Sequence, residues 1–187
     1  MKVKELMGKV MVALDEAGSF NLIGNLDDYK YKIYEAMDST QRELATICNP
    51  IFETKEVTAE NGMLVLPEDL YELITIMKMD YSTADFTLVR SGIVRIPDGE
   101  YYVMYNKYPK SISAASDTEA NAIQEMELEI SKDAQEAMVY GVCALLCIND
   151  EPDLYNTYMS RYTVYMTNIL NRKEQKPKCA VRGGVAI

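Results

Sequence analysis

A chain of 187 residues, 48% hydrophobic and 26% charged, is long enough to bury a core and too apolar for wholesale disorder. Its 19 basic and 29 acidic residues leave a net charge of −10, which argues against a general nucleic-acid binder, because such a chain gains nothing by neutralising phosphates. It contains no histidine, which removes Ser-His-Asp and Cys-His catalysis, His-ligated zinc and the usual general base near pH 7.

In chain order, residues 3–17 predict a first helix, with Leu6, Val10, Met11 and Leu14 on one apolar face. Gly18-Ser19 stops it. Asn25 is a good N-cap for a second helix with Asp27 and Asp28 in its first turn, where the helix dipole favours acids. Ile33, Ala36, Met37, Thr40, Leu44 and Ile47 form its buried stripe, and Asn49-Pro50 ends it.

The middle of the chain is β-like. Phe52–Val57 and Gly62–Leu66 flank an Asn61-Gly62 hairpin signal. Pro67 opens a short helix from Glu68 to Leu73, where its missing N–H costs nothing. Leu73–Asp80, Asp85–Arg90, Gly92–Ile96 and Tyr101–Tyr105 predict further strands, with a turn at Pro97-Asp98-Gly99. Pro109–Asn121 reads as an exposed loop. Glu125–Ile130 alternates acid and apolar residues, as a half-buried strand does.

Ser131 caps a third long helix with Ala134, Ala137, Met138, Gly141, Val142, Leu145 and Leu146 inside. Pro152 opens a fourth, reaching about Asn171, which carries Leu154, Met166, Ile169, Leu170 and the stripe Tyr155, Tyr158, Tyr162, Tyr165. The last sixteen residues hold five cations and one acid, Glu174, so they carry +4 against −14 for the rest. The expected fold is mainly α: a four-helix bundle with a β-rich insertion between the second and third long helices. One helical domain spans 1–172, its insertion about 51–130, and an extended basic tail spans 173–187. The tail reads three ways: an arm that contacts DNA, a solubilising end, or a strand that docks on a neighbour.

Little in the sequence looks like a chemical site. Neither phosphate-cradling glycine loop is present. Cys143 and Cys147 lie four apart on one helical face, half of a metal site at most, and read more plainly as small apolar residues at a tight helix contact. Asp27/Asp28 and Glu125/Glu127/Glu129 are acid groups with the ordinary explanations of helix-dipole compensation and a solvated strand face. The tyrosine stripe is core, or in part a subunit interface. The expectation is no catalytic residue, no metal and no cofactor. With no Cys-x-x-Cys, no glycosylation sequon and no stretch near ~20 apolar residues, the cysteines are expected reduced in a cytosol, with no membrane partner.

Several segments, in order, resemble one family. Leu66-Pro67-Glu68-Asp69-Leu70-Tyr71-Glu72-Leu73 looks like the leucine-proline, acid, acid, aromatic step of tailed-phage head–tail connector (adaptor) proteins. Arg42-Glu43-Leu44-Ala45 precedes it, inside the second helix. Tyr101–Pro109 is similar to the family's strand ending in a tyrosine–lysine–x–proline step. The acidic Glu127–Ile130, then Ala137–Leu146, Glu151-Pro152-Asp153-Leu154 and a tyrosine-rich helix complete a resemblance over residues 3–170. It implies a non-enzymatic virion protein, assembled in the host cytoplasm as a homo-oligomeric ring, about twelvefold, at the neck. Such a ring docks under the portal protein, extends the channel through which DNA passes without specific binding, and joins neck or tail proteins. The partner-binding candidates are then Lys173, Lys176, Lys178, Arg182, Val185 and Ile187. Competing readings are a neck stopper or tail terminator, an acidic DNA-mimic or regulatory binding protein, and a carboxylate- or lysine-dependent enzyme. Acids regularly spaced along one face would favour the mimic, and a deep acidic pocket in a monomer would favour the enzyme.

Overall fold

The computed structural model describes residues 1–16, 31–114, 116–149 and 151–174. Among them are five helices: α1 (Val3–Glu16), α2 (Lys32–Ile47), α3 (Asp117–Gln124), α4 (Lys132–Cys147) and α5 (Pro152–Glu174). Between α2 and α3 lie six strands: β1 (Ile51–Ala59), β2 (Met63–Val65), β3 (Leu70–Lys78), β4 (Thr87–Arg90), β5 (Ile93–Arg95) and β6 (Gly99–Lys107).

The helical layer forms around α4. Ser131 caps it by accepting from the Ala134 N–H, and ten of its sixteen residues are buried, as suits a helix covered on several sides. It packs against α5, α2 and α1. Thr40 on α2 and Tyr162 on α5 close on Gly141: a Cβ there would lie 2.6 Å from Thr40 Cγ2 and 3.0 Å from Tyr162 Cε2. Only glycine allows the three helices to meet so closely.

The β region is two antiparallel three-stranded sheets, ordered β1-β6-β3 and β2-β5-β4. They enclose a hydrophobic core separate from the helical one, built on Leu64, Ile76, Val94, Tyr101, Val103 and Tyr105. The expectation of a mainly α four-helix bundle is therefore overturned: this is an α/β fold. The reason is packing. Six strands that bury their own apolar residues are a second layered unit and not a decoration on a bundle.

Local expectations also shift. The Asn61-Gly62 turn forms, both residues having positive φ (55° and 72°), but β1 and β2 part into different sheets after the single Glu60–Met63 bridge. Glu68–Leu73 is not a helix: Pro67–Leu70 is a tight turn and β3 starts at Leu70, because pairing with β6 outweighs the local helix signal. The predicted loop 109–121 contains the start of α3, capped by Ser116. Glu125–Ile130 is not a regular strand: it is tied to the N-terminal residues by a single antiparallel bridge, Glu127 with Lys2, and by backbone bonds from Val3 N–H to Met126 O and Leu128 N–H to Met1 O. Asn25, Asp27 and Asp28 lie outside the described residues.

Candidate assembly surface

Three of the segments singled out in the sequence, Arg42–Ala45, Leu66–Leu73 and Tyr101–Pro109, meet at the joint between the helical layer and the β unit. The turn Pro67–Leu70 puts Asp69 beside the end of β6. Its carboxylate accepts from the Tyr105 hydroxyl at 3.0 Å and its carbonyl from the Tyr108 N–H at 2.7 Å. Burial, then the Asp69 charge, pushes the Tyr105 phenol up to about 12. Two residues along, the Tyr71 hydroxyl donates to the Ala45 carbonyl of α2 at 3.1 Å. The Tyr71 ring lies 5.3 Å from that of Tyr108, and the Arg42 guanidinium stands 5.8 Å from the Tyr108 ring centre.

A second set of contacts fastens the chain after β6. Lys107 is largely buried, between Glu129 at 3.1 Å and Glu53 at 3.4 Å. Burial alone lowers its pKa, but the two carboxylates outweigh that, and the net shift is upward. Glu129 also accepts from the Lys110 N–H, the buried Gln41 amide donates to the Lys110 carbonyl, and Asp38 accepts from both the Ile112 N–H and Arg42. These groups fix the β unit on α2 and on the 125–130 segment, so it is presented at a set angle.

Of the partner-binding candidates, Lys173 falls within α5, so the helix extends past the predicted start of the tail. Lys176, Lys178, Arg182, Val185 and Ile187 lie outside the described residues. The tyrosine stripe divides: Tyr158 and Tyr162 are core, Tyr155 is half-buried, and Tyr165 is exposed, stacked on Tyr140 at 5.2 Å. Two of the three acids at 125–129 are tied to lysines: Glu125 holds Lys2 and Lys4, and Glu129 holds Lys107. Cys143 is buried and its thiol is pushed up to about 12, chiefly by desolvation, the wrong direction for a thiolate ligand. Among the described residues, no group of three or more His, Cys, Asp or Glu is placed to hold a metal ion. Among them, too, no helix is long and apolar enough to cross a membrane.

What the sequence reading missed is the role of Arg42, Asp69, Tyr71, Tyr105, Lys107 and Tyr108 as one joint. All six stand inside segments already singled out, so their clustering was the missed signal. Comparison with models of known protein families and with curated proteins found no match.

Proposed function

We propose that this chain is a structural virion subunit, a ring-forming head–tail connector that docks beneath the portal, extends the DNA channel and joins the neck or tail. The observation that carries this reading is the convergence just described. Three resembling segments, far apart in the chain, meet at the single joint that orients a β unit on a helical body. A ring subunit needs such a joint, because it must hold two different surfaces at a fixed angle for its two neighbours. The charge of the body supports the same reading. An acidic wall repels DNA phosphates over about 8 Å at physiological salt, so the channel does not grip its cargo.

The test is co-expression with a tailed-phage portal protein from the genome that encodes this chain, followed by native mass spectrometry and electron microscopy. A closed ring of about twelve copies seated on the portal is expected. A chain that stays monomeric and never co-purifies with portal particles would sink the reading.

A further inference from the structure

A sheet edge that is long, regular and open is a template for another strand, and natural proteins blunt most of theirs. Here three of the four edges are blunted. β2 has three residues and β4 four, with a register shift between Leu88 and Arg90. β3 is bulged twice, and its free side is covered where Ala84 N–H donates to Ile76 O and Lys78 N–H to Ser82 O. β1 is different. Its nine residues pair with β6 in unbroken register from Ile51 to Ala59, and among the described residues its other side has no strand.

Against β1 lies a groove of about 630 Å³, lined by Lys55–Thr58 of β1 and by Val65–Asp69. Its apolar lining is Val57, Leu66 and Val65, the last 64% exposed. Its charged residues are Glu56, Glu68 and Asp69 against Lys55. The groove thus suits an extended segment with apolar and basic side chains.

We propose that the β1 groove receives residues 175–187 of a neighbouring copy of this chain, which adds a strand to β1. This names the contact surface for the proposed ring and rests on that reading. The charge argues for this occupant. Residues 175–187 contain Lys176, Lys178 and Arg182 and no acid, so the preceding 174 residues carry −13 of the total −10. Surfaces of two such bodies repel one another, and this segment is the stretch of opposite sign. Its composition argues likewise. Pro177 and Gly183-Gly184 oppose a continued helix, and Val181 suits a strand. In a strand Val181 and Arg182 point to opposite faces, offering one apolar and one basic contact. Length permits it: thirteen extended residues span about 40 Å, and the four-residue β1 wall needs only about 13 Å of strand.

Charge reversal in the full-length chain tests this. Glu56 and Glu68 are exposed, so Glu56→Lys with Glu68→Lys should leave the circular-dichroism spectrum unchanged. That pair, and separately Lys178→Glu with Arg182→Glu, should each weaken self-association at least ten-fold in sedimentation and native mass spectrometry. Mixing the two variants should restore it, because each tail then meets a groove of opposite charge on the other chain. Rings formed by the groove variant at wild-type affinity would overturn the groove while leaving the ring reading in place. Failure of the mixture to recover would overturn docking between copies. A wild-type chain that is monomeric with and without portal protein would defeat the ring reading itself.

Discussion

At Gly141 the distances decide between two opposite effects. In an exposed helix, replacing Gly by Ala stabilises by about 1 kcal/mol. Here the new methyl would lie 2.6 Å from Thr40 Cγ2, so that gain should vanish, and Gly141→Leu should destabilise by about 1–3 kcal/mol through overpacking. Urea denaturation measures both; an Ala variant with the full helix gain would show that α2 and α5 yield easily at this contact. The sequence pointed to this close approach, because a glycine inside an otherwise apolar helix has few other uses. A second residue-scale expectation concerns Glu125, held at about 2 by hydrogen bonds and charge from Lys2 and Lys4. A carboxylate depressed on folding contributes stability above its unfolded value, about 4.3, and that contribution is lost as pH falls toward 2. Lys2→Ala with Lys4→Ala should move the Glu125 titration, followed by NMR, up to the ordinary range. No movement would mean that the lysines do not hold it.

Two hydrophobic cores, one helical and one in the β unit, lie on either side of a hydrogen-bonded joint. Ile76 is fully buried in the β core, and Ile76→Ala should destabilise by about 2–5 kcal/mol. The loss should concentrate in the strands. Native-state hydrogen exchange should show β1, β3 and β6 opening more often while α4 and α5 keep their protection. Equal loss in both layers would instead make the molecule one cooperative unit. Lys107→Met, which leaves Glu129 and Glu53 without their shared cation, should cost about 1–3 kcal/mol and loosen the joint. This is also the scale at which the sequence was least legible. Helix α4 announced itself through Ser131 and its apolar spacing, and the Asn61-Gly62 turn through its dipeptide. Yet alternation at Glu125–Ile130 suggested a strand where only a single bridge to Lys2 forms, and Pro67 suggested a helix where pairing with β6 made a strand. The joint was not readable at all, since Tyr71 with Ala45, Asp69 with Tyr105 and Asp38 with Ile112 are separated by 26, 36 and 74 residues. Such pairs are set by tertiary packing and leave no local pattern.

For the whole molecule the governing quantity is the opposition of charge between the body and residues 175–187. Copies of a body at −13 repel one another when brought together, and the repulsion would grow as neighbours closed into the proposed ring. Deleting 175–187 removes three cations and none of the residues that build the two hydrophobic cores, so the isolated subunit should keep its circular-dichroism spectrum and its melting temperature. The same deletion should abolish ring formation and portal docking at physiological salt, where like charges within about 8 Å still act on each other. Salt gives the argument a second handle. If the tail serves by neutralising an acidic neighbour, about 1 M salt, with its Debye length near 3 Å, should relieve the repulsion and let the truncated chain associate weakly. If the tail also supplies strand pairing, that rescue should stay partial, because backbone hydrogen bonds and apolar contacts are not replaced by screening. Sedimentation of the full and truncated chains across a salt series reads both effects. A truncated chain that joins the neck at normal occupancy in low salt would remove the tail from assembly and move the contact surface to the helices or to the outer face of the β unit.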